Sequence, residues 1–181
     1  MRLFFCVELE EGVKEALAPV AQRLRRALGE GTWVSRENYH LTVRFLGEVP
    51  EARVPELLAV GEKAARGNPR FSLNLAVVGG FPNPSRARVL WVGPEKEVPA
   101  FRKLWQDVEE AVRVLGFPPE RDEPLPHVTL ARFKKPQDLR AFVPGPPLAI
   151  EVHGTSLTLM RSELRPEGAK YQPVSRWPLG G

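Results

Sequence analysis

The chain has 181 residues, of which 43% are hydrophobic and 27% are charged, and this composition supports a folded core and argues against intrinsic disorder. A single cysteine excludes an intramolecular disulfide, and no apolar stretch has the length needed to span a bilayer. The formal net charge of +4 is compatible with an anionic partner such as RNA. We therefore expect a cytoplasmic protein with no membrane contact.

The spacing of apolar residues in the first half of the chain predicts strands that alternate with amphipathic helices. The predicted elements are a strand over Leu3–Glu8, a helix over Glu11–Leu28, a strand over Tyr39–Leu46, a helix over Glu51–Arg66 and a strand over Phe71–Val78. Glycines follow the first helix and the second strand, where each element is expected to end.

The second half begins with a predicted loop over Gly79–Pro84 and then repeats the pattern of strand and helix. The predicted elements are a strand over Val89–Val92, a helix over Pro99–Leu115, a short helix over Gln137–Phe142, and strands over Leu148–Val152, Ser156–Ser162 and Ala169–Val174. Strands grouped around several helices favour an α+β fold over a strictly alternating parallel one.

A short motif occurs in two of these strands: His40-Leu41-Thr42-Val43 and His127-Val128-Thr129-Leu130. Because alternate side chains of a strand point to opposite faces, each histidine should share a face with its threonine. The same alternation predicts that Phe45 lies on the other face, together with Leu41 and Val43. Two such strands facing each other would flank a phosphate with an imidazole and a hydroxyl on each side.

An internal repeat distinguishes these two histidines from the third, His153. Leu28-Gly29 and Leu115-Gly116 each close an amphipathic stretch, and each glycine precedes its histidine by 11 positions. His153 is also followed by a threonine two residues later, but a proline-rich segment stands where a helix would be needed. We therefore predict a surface or structural role for His153, and a single domain over 1–181 whose two similar lobes each donate one histidine and one threonine.

Two histidines of this kind suit acid–base cleavage of a phosphodiester. One imidazole takes a proton from the attacking oxygen and the other gives one to the leaving oxygen, because the ordinary pKa near 6.5 allows either role. Zinc sites need three or four clustered ligands, and neither histidine strand carries a second one. A Walker loop, a dinucleotide-binding glycine pattern and a nucleophile elbow are missing from the sequence. We expect neither a metal nor another cofactor.

The segments His40–Glu48 and Pro126–Arg132 resemble the paired His-x-Thr-x motifs of the two-histidine (2H) phosphoesterase superfamily. They resemble most closely the RNA 2′,3′-cyclic phosphodiesterases, historically called 2′–5′ RNA ligases. Three further segments, Gly80–Pro82, Arg88–Gly93 and Gly168–Tyr171, are similar to the same subgroup. The resemblance implies a bilobal α+β fold, in which two antiparallel sheets flanked by helices are related by a pseudo-twofold axis and enclose a positively charged cleft.

The resemblance also implies an activity and a role for each motif residue. The substrate would be RNA that ends in a 2′,3′-cyclic phosphate, and the product would carry a 2′-phosphate. His127 would be the proton acceptor that activates water, His40 the proton donor to the departing 3′ oxygen, and Thr42 and Thr129 the phosphate-binding residues. The reverse reaction would form a 2′–5′ linkage, and hydrolysis should dominate in water. No cofactor is implied, and we expect a monomer.

Four further residues are candidates for substrate contacts. Arg44 has the parity of His40 and is predicted either to hold phosphate in the cleft or to lie at its rim with no specific ligand. Arg132 is also a candidate for phosphate, but it shares a face with His127 only if the strand bends. Phe81 and Tyr171 are candidates for stacking on a terminal base, with core packing the stronger expectation for Phe81.

Two alternative functions remain open at this point. One is a non-catalytic module that binds RNA or nucleotides, although a pure binder has no need for two titratable groups around one phosphate. The other is a different activity of the same superfamily, on 2′–5′ oligonucleotides or on small cyclic nucleotides.

Overall fold

The computed structural model describes residues 1–120 and 124–180, which form ten strands and three α-helices together with short 3₁₀ turns. The helices are α1 (Glu11–Leu28), α2 (Val54–Arg66) and α3 (Pro99–Val114). The strands are β1 (Arg2–Glu8), β2 (Thr32–Trp33), β3 (His40–Glu48), β4 (Phe71–Leu75), β5 (Val77–Phe81), β6 (Ala87–Gly93), β7 (Val128–Gln137), β8 (Ile150–Gly154), β9 (Ser156–Arg165) and β10 (Gly168–Pro178).

The strands form two four-stranded sheets and one two-stranded sheet. The order in the first sheet is β10-β9-β1-β3, the order in the second is β2-β7-β6-β5, and β4 pairs with β8. Every strand pair is antiparallel. This architecture confirms the predicted α+β class with two antiparallel sheets flanked by helices.

The order of elements around each histidine is the same. In the first half β1, α1 and β3 occur in this order and β1 pairs with β3, and in the second half the same holds for β6, α3 and β7. Gly29 follows α1 with φ +70° and Gly116 follows α3 with φ +95°, a conformation that glycine adopts without strain. The Leu-Gly repeat therefore marks two equivalent helix ends, each placed ahead of a histidine strand.

The main hydrophobic core lies between the sheets and the apolar faces of the helices. Leu17 of α1 and Val108 of α3 are fully buried in it, and burial of such a side chain contributes about 1.5 to 3 kcal/mol. β1 is buried on both faces, because Phe4 and Cys6 form a separate small cluster with Met160 on the face that carries His40. None of the helices in the described part of the chain is long and apolar enough to cross a membrane.

The predicted strand over Phe71–Val78 is in fact two strands in different sheets. β4 pairs with β8, whereas β5 pairs with β6. Ala76 is the crossing point: its N–H donates to Gly93 O at 2.9 Å, and its carbonyl accepts from the Leu148 N–H at 2.9 Å. Unbroken alternation in the sequence conceals the change of partner.

Two local predictions in the second half are wrong. Gly79, predicted in a loop, lies in β5 opposite Trp91, and a Cβ at Gly79 would sit 2.1 Å from the indole ring. The glycine therefore serves a close ring-to-backbone approach inside a strand. The range Gln137–Phe142, predicted as a helix, instead holds the last residue of β7 and a turn at 140–142. The N–H of the buried Leu139 between them donates to Pro84 O at 2.7 Å.

Candidate active site

The two histidine strands border a cleft of about 670 Å³. Thr42 and Phe45 of β3, and Thr129 and Arg132 of β7, line it together with His127. His40 lies at its edge, where it lines an adjoining cavity of about 400 Å³ with Tyr171. The structure thus brings together the four residues of the paired motifs that the sequence predicted.

A backbone carbonyl orients each imidazole in the same way. His40 Nδ1 lies 2.7 Å from Asn38 O, and His127 Nδ1 lies 2.7 Å from Leu125 O. A carbonyl oxygen can only accept, so Nδ1 carries the proton in both rings and Nε2 is the nitrogen that titrates. In each case the carbonyl belongs to the residue two positions before the histidine. The backbone that leads into each strand therefore selects the tautomer.

The two Nε2 atoms differ in their partners. Nε2 of His40 lies 2.8 Å from Thr42 Oγ1, and in the neutral ring this nitrogen accepts the hydroxyl proton. For Nε2 of His127, no hydrogen-bond partner is present among residues 1–120 and 124–180. The His127 nitrogen is therefore available as a proton acceptor without breaking an existing contact.

Aromatic rings surround both histidines and restrict water. The ring centroids nearest to His40 belong to Phe4 and Tyr171, at 5.0 and 5.4 Å, and those nearest to His127 belong to Phe81 and Trp91, at 5.0 and 6.0 Å. The contacts of Tyr171 with His40 and of Phe81 with His127 are edge-on, an arrangement that aromatic pairs prefer. Phe81 and Tyr171, the predicted stacking residues, therefore also fix the catalytic candidates.

Burial disfavours the charged form of both imidazoles. Burial, together with the positive charges of His127 and Arg132, lowers the pKa of His40 to about 4 against the opposing effect of the hydrogen bond to Asn38 O. Burial, followed by the charge of Arg132, also lowers the pKa of His127. Both rings are therefore neutral at pH 7, and a bound phosphate anion would raise both pKa values.

Each histidine strand contains a β-bulge directly after its threonine. Cys6 of β1 pairs with Thr42 and Phe5 pairs with Arg44, so Val43 is an extra residue in β3. The second sheet has the same irregularity, because Leu130 is an extra residue in β7 relative to the neighbouring strand β6. A bulge reverses the face on which the residues after it lie, up to the next irregularity of the strand.

The bulges overturn the predicted faces of three residues. Phe45 lies on the His40 face, 42% exposed and 5.4 Å from Phe4 between ring centroids. Arg132 is exposed and lies on the His127 face, where it lines the cleft. Arg44 turns inward and is 6% exposed. Simple alternation was therefore wrong for Phe45 and Arg44, and the bend that Arg132 required is present.

Arg44 contributes to the cleft wall but is not available as a phosphate ligand. Its Nε donates to Glu109 Oε2 at 2.6 Å, and its terminal nitrogens donate to the carbonyls of Phe45 and Pro118. These contacts tie the bulge of β3 to α3 and to the segment that leads to His127. The guanidinium is thus part of the frame around the cleft.

Glu109 is the acceptor at the centre of this network and is itself 2% exposed. It also accepts from Arg113 Nε at 2.8 Å and from the Glu120 N–H at 3.0 Å. Burial alone would raise the pKa of Glu109, but the hydrogen bonds from Glu120, Arg113 and Arg44 outweigh it and hold the pKa below its usual range. A buried carboxylate with three donors is the arrangement expected of a satisfied ion pair.

Asn38 is a site residue that the sequence did not identify. It is buried, and its Nδ2 donates to Ala169 O of β10 at 2.8 Å, while its own carbonyl accepts from His40. The side chain thereby fixes the carbonyl that orients the imidazole. No sequence signal marks this role of Asn38. The correspondence of Phe45 with Arg132, by contrast, could have been found by aligning the two motifs on their histidines.

The third histidine and the single cysteine lie outside the cleft. His153 is exposed on β8, with Nδ1 3.2 Å from Ser72 Oγ and Nε2 3.7 Å from Glu151, in agreement with the surface role predicted for it. Cys6 is buried, and burial raises the pKa of its thiol well above the usual range. In the part of the chain that the structure describes, no three His, Cys, Asp or Glu side chains cluster as metal ligands.

Comparison with known proteins agrees with this geometry. The family model for LigT-like phosphoesterases matches residues 7–91. The chain is 33% identical to the RNA 2′,3′-cyclic phosphodiesterase of Methanothermobacter thermautotrophicus, with 99% of both chains covered. It is 36% identical to the enzyme of the same name from Thermus thermophilus, with 100% of this chain and 91% of the relative covered.

A solved structure from Thermus thermophilus superposes with a TM-score of 0.84 at 33% identity and covers 100% of this chain and 99% of that one. The likeness thus extends over both lobes and both histidine strands. The chain belongs to the LigT-like phosphoesterase family, within the two-histidine superfamily that its paired motifs indicate.

Proposed function

We propose that this protein hydrolyses the 2′,3′-cyclic phosphate at the end of an RNA chain and leaves a 2′-phosphate. The observation that carries the proposal is the matched pair of bulged strands, each of which presents an imidazole with Nδ1 fixed by a carbonyl beside a threonine on the same face. The names of the two relatives support the same activity.

The proposed reaction is one in-line displacement at phosphorus. Nε2 of His127 takes a proton from water as the water oxygen bonds to phosphorus. The bond from phosphorus to the 3′ oxygen breaks, and Nε2 of a protonated His40 gives that oxygen its proton. Proton exchange with solvent then restores both rings. Each proton transfer contributes typically 10²- to 10⁴-fold to the rate.

The acid role of His40 depends on the bound anion. The surrounding protein groups hold the pKa of His40 at about 4, so little of it is protonated at neutral pH. The negative phosphate raises this pKa, and the protonated Nε2 then donates to Thr42 Oγ1 or to the substrate in place of accepting. Burial thus keeps His40 neutral until the substrate binds and raises its pKa.

Thr42, Thr129 and Arg132 supply the donors for the phosphoryl oxygens in this proposal. All three line the cleft, one threonine from each strand. The guanidinium offers two parallel N–H groups, which suits a phosphate that gains charge in the transition state. Phe81 and Tyr171 remain our candidates for stacking on the terminal base. The reverse reaction, formation of a 2′–5′ linkage, would use the same groups with their roles exchanged.

The test is turnover of an oligoribonucleotide with a 2′,3′-cyclic phosphate end in excess EDTA. We expect ring opening that does not need a divalent ion, and a product whose phosphate is on the 2′ oxygen. A 3′-phosphate product would contradict the assigned leaving group. Binding of the RNA without turnover would leave a non-catalytic module as the correct description.

A further inference from the structure

Two basic surfaces adjoin the cleft, and either could receive the RNA that precedes the terminal nucleotide. The first, which we name the β7 groove, has a volume of about 350 Å³ and is lined by Arg132, Lys134 and Lys135 with Gly31 and Thr32. The second is the cavity of about 400 Å³ beneath the hairpin of β9 and β10. The two surfaces differ in how far their cations are paired with carboxylates.

The cations of the hairpin cavity are largely neutralised. The ion pairs are Arg176 with Glu8 at 2.7 Å, Arg165 with Glu163 at 2.9 Å, and Lys14 with Glu11 at 3.6 Å. Glu37 and Glu167 also line this cavity. A polyanion placed here would meet nearly as many carboxylates as cations.

The cations of the β7 groove are not neutralised in this way. Across residues 1–120 and 124–180, neither Arg132, Lys134 nor Lys135 forms an ion pair with a carboxylate, and the two lysines are exposed. Glu30 also lines the groove. Arg88, which lines the cleft, donates from Nη1 to the Lys134 carbonyl at 2.6 Å and adds a further cation at the junction.

The groove is continuous with the cleft through Arg132, which lines both. β2 pairs with β7 only at Thr32 with Arg132 and Trp33 with Ala131. Past Arg132, therefore, this edge of β7 is not covered by β2, and its side chains continue away from the cleft. At about 3.3 Å per residue of extended strand, Arg132 to Lys135 spans at most about 10 Å.

We propose that the RNA chain preceding the cyclic phosphate lies along the β7 groove, with its backbone phosphates contacted by Lys134 and Lys135, and does not cross the β9–β10 hairpin. This inference rests on the proposed function and specifies how the substrate reaches it. Contacts to phosphates position a strand without reading its bases. The enzyme would therefore discriminate RNA by length more than by sequence.

The first arm of the test measures binding and does not depend on turnover. A labelled hexaribonucleotide that ends in a 2′-phosphate is titrated by fluorescence anisotropy at several salt concentrations. Each phosphate contact to a single strand contributes about −0.7 to the slope of log affinity against log salt. Lys134→Gln with Lys135→Gln should therefore make the slope shallower by about 1.4, so the wild type loses about sevenfold more affinity than this variant between about 50 and about 200 mM salt.

The matched control removes two cations from the hairpin. Arg165→Gln with Lys170→Gln changes the same net charge at exposed positions, and it should leave the slope as in the wild type. A slope that changes in the hairpin variant and not in the groove variant would overturn the inference in favour of the hairpin path. An unchanged slope in both would show that neither surface holds the RNA.

The second arm compares turnover of the hexamer carrying a cyclic phosphate with turnover of a mononucleoside 2′,3′-cyclic phosphate. The groove variant should raise KM for the hexamer and leave kinetics on the mononucleotide unchanged. Equal loss on both substrates would contradict the groove. Wild-type protein that turns over neither substrate would refute the proposed function, while the binding slopes still decide where the RNA lies.

Discussion

The two histidine strands share a backbone plan and differ in the charge that they present. Each strand follows a helix that ends at a glycine, fixes Nδ1 of its histidine on a carbonyl, and bulges after its threonine. At the position after the bulge that returns to the cleft, β3 carries Phe45 and β7 carries Arg132. The symmetric frame therefore holds an asymmetric site, with a phenylalanine at this position in one strand and an exposed arginine in the other.

The supports of the two imidazoles also differ. On the first side Asn38 is tied to β10 through its side chain, and Nε2 of His40 is already engaged by Thr42. On the second side the orienting carbonyl of Leu125 lies between two prolines, and Nε2 of His127 has no partner among the residues described. An imidazole whose Nε2 is already hydrogen-bonded suits a proton donor that acts only once substrate is bound. An imidazole whose Nε2 has no partner suits a proton acceptor.

The largest expected effect concerns the arginine that the bulge turns inward. Arg44→Met or Glu109→Met alone removes the nearest ion-pair partner of a buried charge and should lower the free energy of unfolding by up to about 3 to 5 kcal/mol. The double variant should recover most of that stability and keep phosphate affinity near the wild-type value, because Arg44 belongs to the frame. Denaturant unfolding measures the stability, and titration with inorganic phosphate measures the affinity. Weaker phosphate binding by a stable double variant would show that Arg44 is a phosphate ligand.

Arg132 should behave in the opposite way. Arg132→Met removes a charge-assisted hydrogen bond to the phosphate, worth about 1.5 to 3 kcal/mol, and should lower kcat/KM by roughly 10- to 150-fold with little change in stability. Phe45→Met, the equivalent change in β3, should alter kcat/KM by only a few-fold. Equal losses in the two variants would remove the asymmetry between the strands.

A smaller effect is expected at the support of His40. Asn38→Ala loses the hydrogen bond to Ala169 and should cost about 0.5 to 1.5 kcal/mol of stability, with a several-fold lower kcat and an unchanged KM. Asn68→Ala is a control with at least the same loss of stability, since Asn68 is also buried and donates to Ala64 O and to Asp107 Oδ2, both at 2.8 Å. If Asn68→Ala lowers kcat as much, the effect of Asn38 is one of stability alone.

The pH dependence of kcat/KM should show the lowered pKa of the proton donor His40. The acid must be protonated in the free enzyme, and its pKa lies below 6.5, so kcat/KM should fall as the pH rises through that lower range. The limb for kcat should lie at higher pH, because the bound anion raises the pKa. Arg132→Met should move the limb for kcat/KM upward, since the charge of Arg132 lowers the pKa of both histidines. A limb at or above 6.5 in the wild type would contradict this electrostatic picture.

The sequence was sufficient for the features that depend on local pattern. The helix over Glu11–Leu28 was predicted with the bounds that the structure has, because its apolar spacing and glycine stop lie within one segment. The pairing of His40 with Thr42 followed from alternation alone. These predictions needed no knowledge of what packs against the element.

The rest required tertiary contacts. A bulge depends on how β3 pairs with β1, so simple alternation placed Arg44 on the face of His40 and Phe45 on the opposite face. The hydrogen bond from Asn38 to Ala169 joins residues 131 positions apart, and the crossing at Ala76 depends on two different partner strands. Residues whose role depends on a distant partner carry no local signature.

The measurement that tests the central claim most directly compares two substrates in three variants. One is RNA with an ordinary 2′,3′-cyclic phosphate, and in the other sulfur replaces the bridging 3′ oxygen, so that the leaving group departs as a thiolate without needing a proton. On the ordinary substrate His40→Ala and His127→Ala should each lose about 10²- to 10⁴-fold, and His153→Ala should match the wild type. On the sulfur substrate His40→Ala should recover nearly wild-type turnover while His127→Ala stays impaired. Recovery by His127→Ala instead, or by neither variant, would contradict the assignment of His40 as the acid and His127 as the base.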